Sequence, residues 1–258
     1  MVLERIISVD MIEEKSWYAI ILGIIFSIIG IFVSWLIFPS ESGIIAIMFT
    51  AIASLPFIRK VIDIEEKVEE NAHSLKQLFF RNKKIIEIFS FFFLGIVITY
   101  FFSNLILPEA IRNILFAKQT AVFRGNNLHL LGNFVNHKGL FSEIFVNNLK
   151  ILLFCMILSL LYGSGGLIIL IWNASTLGVF ISSLGKLSKI ISVLPYAALE
   201  FIAFFLAAIA GGILSVGIEK HKLKSKVFKR ILKDSILLFM ISFILITLAA
   251  FLEVSILL

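Results

Sequence analysis

Glu200 is the residue of this 258-residue chain whose position most suggests chemistry. It lies within a nearly continuous apolar stretch from residue 149 to residue 217, with Pro195 and Tyr196 about one helical turn before it. A carboxyl group is costly in hydrocarbon, so such residues usually face a bundle interior or a watery cavity. Glu200 therefore predicts either a proton or cation site, or a polar clamp between helices. Its place near the start of its helix favours a structural role, because the helix dipole stabilises negative charge there.

Three amide side chains, Asn147, Asn148 and Asn173, lie at the expected boundaries of apolar runs. We expect Asn173 to lie at a turn or to cap the following helix, since asparagine is favoured at that position. An amide in a bilayer can also form a hydrogen bond to another helix. Capping and helix–helix bonding are therefore expected in preference to ligand binding.

Small residues and a proline form a second group, which we expect either to break helices or to let them pack closely. They are Gly163, Gly165, Gly166, Gly178, Pro195, Gly211 and Gly212. The cluster at 163–166 is not expected to be a phosphate loop, because the Lys-Ser/Thr that would follow is missing and no soluble strand precedes it.

No catalytic or metal-binding pattern is evident. The four histidines fall on separate segments, without HExxH spacing, and only His129 and His137 share a loop. That loop gives weak support for a metal site. The serines form no GxSxG motif. We therefore predict a protein that is not an enzyme and that has no cofactor and no bound metal.

The composition predicts an all-α, polytopic transmembrane helix bundle. The chain is 60% hydrophobic, above the roughly 45–50% of a soluble domain. The apolar residues are concentrated in long blocks with little charge, whereas a β-barrel would show short alternating segments. The net charge of +6 is expected to report topology rather than nucleic-acid binding.

The blocks and the positive charges together predict the crossings. The expected spans are residues 17–38, 43–58, 85–107, 149–184, 192–218 and 235–257. Lysine and arginine cluster in residues 59–84 and 220–233, so both linkers should be cytoplasmic. An even number of crossings must then separate them. This predicts a cytoplasmic amino terminus, an external region at 108–148 and an external carboxyl terminus.

The block at 149–184 is long, because its residues 150–184 alone would extend about 52 Å as one helix. That is too long for a single ordinary span and slightly short for two. We predict a broken or re-entrant helical hairpin that turns at either 163–166 or 172–175, and therefore about six or seven spans.

Two further segments flank the core. Residues 60–84 carry one apolar stripe at helical spacing, made of Val61, Ile64, Val68, Ala72, Leu75 and Phe79. They predict a cytoplasmic amphipathic helix on the membrane surface, a short coiled coil, or a solvated linker helix. The external region is rich in Asn, Gly and Phe, which suits short interfacial helices or a partner-binding surface.

The motifs in order resemble the stage II sporulation protein M family over residues 85–218. The resemblance is carried by Asn147-Asn148, Gly163-Ser164-Gly165, Asn173, Gly178, Leu194-Pro195 and Glu200. Two departures are visible. Tyr196-Ala197 replace the family's His-Gly, and Ala174 replaces the glycine expected after Asn173.

The resemblance implies a multi-pass cell-membrane protein without catalytic activity, which in spore-forming bacteria acts as a scaffold for cell-wall hydrolases during engulfment. It divides the chain into residues 1–84, a two-helix hairpin plus the amphipathic helix, and residues 85–258, the membrane core. We predict a scaffold or assembly subunit in the lipid bilayer, with protein partners or a second copy of itself. The alternative is a transporter or channel subunit that uses Glu200 and the broken hairpin.

Overall fold

The computed structural model describes residues 9–69, 75–125 and 137–257, and every element in these ranges is helical. A short 3₁₀ turn, Pro39–Glu41, joins the second and third helices. In chain order the helices are α1 (Val9–Glu14), α2 (Tyr18–Ile37), α3 (Ser42–Glu69), α4 (Leu75–Ile106), α5 (Glu109–Leu115), α6 (Ala117–Gly125), α7 (His137–Tyr162), α8 (Gly166–Ser183), α9 (Leu187–Lys220) and α10 (Lys226–Leu257).

Seven helical segments in the described residues are long and apolar enough to cross a membrane. The prediction of an all-α polytopic membrane bundle is therefore confirmed. The segments are Tyr18–Ile37, Pro39–Val61, Lys84–Ile106, Gly139–Tyr162, Gly166–Ser183, Leu187–Lys220 and Lys226–Ile256. Residues 149–184 contain parts of two of these segments, as expected for a broken hairpin.

The break in this hairpin lies at the first of its two predicted positions. Gly163 has a φ of +66°, in the left-handed region that glycine adopts without strain. The chain then resumes helical bonding where the N–H of Leu167 donates to the carbonyl of Ser164, at 3.1 Å. The alternative turn at 172–175 is wrong, and so is the role of Asn173 as a turn or cap. Those residues lie inside α8. There the Ser175 hydroxyl donates a hydrogen bond to the carbonyl of Trp172, three residues earlier in the same helix, at 2.7 Å.

The fourth span begins earlier than expected. Asn147 and Asn148 lie within α7 rather than at its boundary. The physical reason is length, since a crossing of about 20 residues that ends at Tyr162 must begin near residue 143. The region between the third and fourth spans is therefore shorter than predicted, and its first part forms α5 and α6.

The structure describes the two ends of the predicted helix at 60–84, and both are helical. Residues 60–69 extend α3 and residues 75–84 open α4. Residues 70–74 and the side chains of 62–83, which include most of the apolar stripe, lie outside the described residues.

The chain forms two compact units, and the first comprises Met1–Gln119 with Ile171–Ser182. In this unit α2 packs against both α3 and α4. Its closest approach is at Gly23 and Gly95, where a Cβ on either glycine would overlap the backbone of the other helix. Gln119 is fully buried, and its side-chain amide donates to the carbonyl of Gly43 at 3.1 Å.

The second unit comprises Thr120–Leu170 and Ser183–Leu258. Here α9 packs against both α7 and α10. Its contact with α10 includes the Ser235 hydroxyl, which donates to the Ala210 carbonyl at 2.8 Å. The contact with α7 is close at Gly211, where a Cβ would overlap the Met156 carbonyl oxygen. The sequence resemblance predicts a different division, at residue 84. That division stays a prediction.

Candidate functional site

The second unit brings three polar side chains together from three helices: Asn148 on α7, Glu200 on α9 and Glu253 on α10. Nδ2 of Asn148 donates a hydrogen bond to Oε1 of Glu200, at 2.5 Å. The carboxyl group of Glu253 lies close enough to that of Glu200 for the two to interact. We call these three residues the polar cluster, and it brings side chains of three helices together.

Burial differs among the members of the polar cluster. Asn148 is buried, with a fractional exposure of 7% for the residue, whereas Glu200 and Glu253 are partly buried. Tyr196 is also buried and lies near enough to both carboxyl groups to interact with them electrostatically. The carboxyl groups therefore lie beside an amide and a phenol rather than in an entirely apolar setting.

Helical periodicity places Asn148 in the cluster. The buried residues of α7 recur at spacings of four, three and four, and this stripe belongs to the side that packs against α9. The stripe is Asn148, Leu152, Cys155 and Ser159. Its neighbour Asn147 is exposed and stands outside the cluster. The paired asparagines thus have different environments, which follows from the roughly 100° turn per helical residue.

Two other predicted residues lie away from the polar cluster. Asn173 lies inside α8, in the part that belongs to the first unit. Gly178 belongs to the same part, and a Cβ there would approach the Val97 carbonyl oxygen on α4 to 2.6 Å. Pro195 lies on α9 one turn before Glu200, is exposed, and does not break the helix, which continues from Leu187 to Lys220.

The remaining glycines surround the turn between α7 and α8. A Cβ at Gly165 would overlap the Leu158 carbonyl, and one at Gly166 would come within 2.8 Å of the Cys155 carbonyl oxygen. Gly212 on α9 approaches the same turn, where a Cβ would stand 3.1 Å from the carbonyl oxygen of Gly163. These small residues let backbones approach closely, as is common in membrane helix packing.

Glu253 is the member of the polar cluster that the sequence analysis did not single out. Its signal was present, because it is an acidic residue within the last apolar block, residues 235–257. It lies near the end of that block. Only the packing of α9 against α10 shows that it reaches Glu200.

The described residues contain no group of three or more His, Cys, Asp or Glu side chains that could hold a metal ion. This statement does not cover the loop that the sequence analysis considered for a metal site. His129 and the side chain of His137 lie outside the described residues. What the polar cluster provides is a polar contact among three helices, with a hydrogen bond between Asn148 and Glu200.

Known proteins share sequence with the part of the chain that contains the polar cluster. The family model described as stage II sporulation protein M matches residues 88–256, a range that includes all three members of the polar cluster. The chain is also 33% identical over 124 residues to an uncharacterized protein of Methanocaldococcus jannaschii, which covers 45% of this chain and 70% of that relative. No solved structure matches the chain. The resemblance seen in the motifs is confirmed, and this integral membrane protein belongs to the stage II sporulation protein M family.

Proposed function

We propose that this protein is a non-catalytic scaffold or assembly subunit that organises partner proteins at the cell membrane. The observation that supports the proposal is the polar cluster. Asn148 on α7 is hydrogen-bonded to Glu200 on α9, and Glu253 on α10 lies close enough to Glu200 to interact with it. Hydrogen bonds between helices in a membrane contribute about 0.6–2 kcal/mol each. The cluster thus holds the three helices in a defined arrangement, which a docking platform requires.

The proposed orientation has the amino terminus in the cytoplasm. Seven candidate spans and two lysine- and arginine-rich linkers at 59–84 and 220–233 agree with this orientation under the positive-inside rule. The region between the third and fourth spans, which includes α5 and α6, is then external and open to partners. The carboxyl terminus is external as well.

The experiment is affinity purification of the full-length protein from its native membranes in a mild detergent. We expect one or more partner proteins at stoichiometric amounts. Glu200→Gln should retain them, because a glutamine can accept the hydrogen bond of Asn148 and donate one to Glu253. Glu200→Leu, which can do neither, should lose them. If the unmodified protein is always isolated alone, the scaffold proposal is wrong.

The same variants separate a scaffold from a transporter or channel. In proteoliposomes, a scaffold predicts no ion or solute flux from the unmodified protein. Flux that Glu200→Gln abolishes would instead show that the carboxyl group itself carries the activity, and would contradict the scaffold.

A further inference from the structure

The face of α7 that points away from α9 contains a lysine in its middle. Lys150 is two residues after the buried Asn148 and is therefore about 200° away from it around the helix. Other exposed residues lie on the same face of the helix, both before and after Lys150. We call this set the outward face of α7, and its members are Glu143, Val146, Lys150, Phe154, Ile157 and Leu161. The crossing part of α7 is also the least buried of the seven candidate spans, with 22% of its residues buried.

Lys150 lies within the membrane-crossing part of α7, whatever length is assigned to that part. The helix must end at Tyr162, because Gly163 begins the turn. A crossing as short as about 17 residues that ends there begins at Val146. In a crossing of about 20 residues, Lys150 lies roughly 10 Å from the outer end and 18 Å from the inner end. Lysines that reach water by snorkelling lie near helix ends, whereas Lys150 lies near the middle of the whole candidate span, Gly139–Tyr162.

Nothing in the described part of the chain neutralises Lys150. Its ammonium group forms no ion pair and no hydrogen bond with any described residue. It cannot reach the polar cluster either, because that cluster lies on the opposite side of α7. An intramembrane charge normally pairs with another group, so the missing partner must come from outside this part of the chain.

A second copy of this chain does not fit the outward face of α7. Two copies with the same membrane orientation, related by a two-fold axis along the membrane normal, would bring Lys150 beside its own equivalent. Like charges at that distance repel each other. Acyl chains provide no counter-charge at all. A helix with an Asp or Glu at the same depth pairs with the ammonium group, while Phe154, Ile157 and Leu161 pack against its apolar residues.

We propose that the outward face of α7 docks a transmembrane helix of a partner protein that carries a carboxylate at the depth of Lys150. This inference rests on the proposed scaffold function, and it adds the surface and the chemistry of the partner. The ion pair sets the depth and the identity of the docked helix, and the apolar residues around it provide the packing area.

The test uses a defined probe with the full-length protein in phosphatidylcholine–phosphatidylglycerol vesicles. The probe is a synthetic Leu/Ala transmembrane helix with one Glu at the depth of Lys150, labelled for energy transfer from a donor fluorophore on the protein's carboxyl terminus. Matched probes carry Leu, Gln or Lys at that position. We expect the Glu probe to bind about tenfold more tightly than the Leu probe, and the Lys probe to bind least.

Variants of the protein link this preference to one residue. Lys150→Met should abolish the preference for the Glu probe, and Lys150→Arg should keep it. Lys229→Met removes the same charge from an exposed position of α10 and should change nothing. Both lysines are exposed, so neither change should unfold the protein.

Three outcomes would overturn the proposal. One is equal binding of all probes, and another is a Glu preference that survives Lys150→Met; either would mean that Lys150 snorkels and that lipid covers the face. The third is energy transfer between two copies labelled at Ile157→Cys, which would assign the face to self-association. Because the probe is synthetic, these results are independent of whether natural partners co-purify, so failure here is distinguishable from failure of the scaffold proposal.

Discussion

The side-chain amide of Asn148 donates a hydrogen bond to the carboxyl group of Glu200, 52 residues further along the chain. This bond joins α7 to α9, and the contact between Glu200 and Glu253 extends the connection to α10. The adjacent Asn147 takes no part in it, because it is exposed on another side of α7. Two identical neighbouring residues therefore provide a matched pair for experiment.

Asn148→Ala should destabilise the protein by about 1–2 kcal/mol, because Glu200 loses its hydrogen-bond donor within the bundle. Asn147→Ala should change the free energy of unfolding by less than about 0.5 kcal/mol. Both values can be measured by denaturant titration in detergent micelles. Equal effects of the two substitutions would contradict the role assigned to the polar cluster.

Gly163→Ala should cost about 1–2 kcal/mol, because an L-residue with a side chain is strained at positive φ. No atom lies within 4 Å of a Cβ built at this glycine, so the cost comes from the backbone alone. Gly163→Asn should cost less, since asparagine tolerates the left-handed region better. Thermal denaturation in detergent measures both, with Ser164→Ala as the neutral control. If Ala and Asn are equally tolerated, the turn does not depend on the backbone conformation of Gly163.

Gly95→Ala should destabilise the first unit by about 1–3 kcal/mol, because its Cβ would overlap the Ile20 carbonyl oxygen on α2. The control is the same substitution at Gly212, where a Cβ meets only the Gly163 carbonyl oxygen, at 3.1 Å. The higher helix propensity of alanine offsets that mild contact, so Gly212→Ala should be close to neutral. Both variants are compared by thermal denaturation. A Gly95→Ala protein as stable as the unmodified one would show that α2 and α4 are further apart than described.

Single cysteines can test the orientation, in a Cys155→Ser background that removes the one native thiol. Lys186 lies between α8 and α9, and Lys226 is the first residue of α10; both are exposed. With seven crossings and a cytoplasmic amino terminus, Lys186→Cys should react with a membrane-impermeant maleimide on intact cells. Lys226→Cys should react only after permeabilisation. The reverse pattern would contradict the orientation, and labelling of both from one side would mean that α9 does not cross.

The sequence predicted the membrane architecture well because apolar blocks and charged linkers report spans directly. It failed at positions where polar residues lie inside helices. Asn147, Asn148 and Lys150 resemble the end of a span, yet α7 begins earlier, at His137. Asn173 resembles a turn, but it lies inside α8.

Only part of the candidate site could be predicted from the sequence, for a related reason. Glu200 is conspicuous in a long apolar run, and Asn148 belongs to a recognisable motif. Their pairing, and the addition of Glu253, depend on the rotation of three helices about their axes, which periodicity alone does not determine. Gln119 shows the same limit, because it lies in a region expected at the outer interface and is nevertheless fully buried against the Gly43 carbonyl.

The unequal lengths of α8 and α9 have a consequence for the surrounding lipid. α8 has 18 residues, about 27 Å, whereas α9 has 34 residues, or roughly 51 Å. No bilayer of uniform thickness matches both, so lipid must thin beside the shorter helix, or the longer one must lean or emerge into water. Acyl-chain length in a reconstituted membrane is therefore a variable that should alter this protein's stability, and it should be scanned before any assay is judged negative.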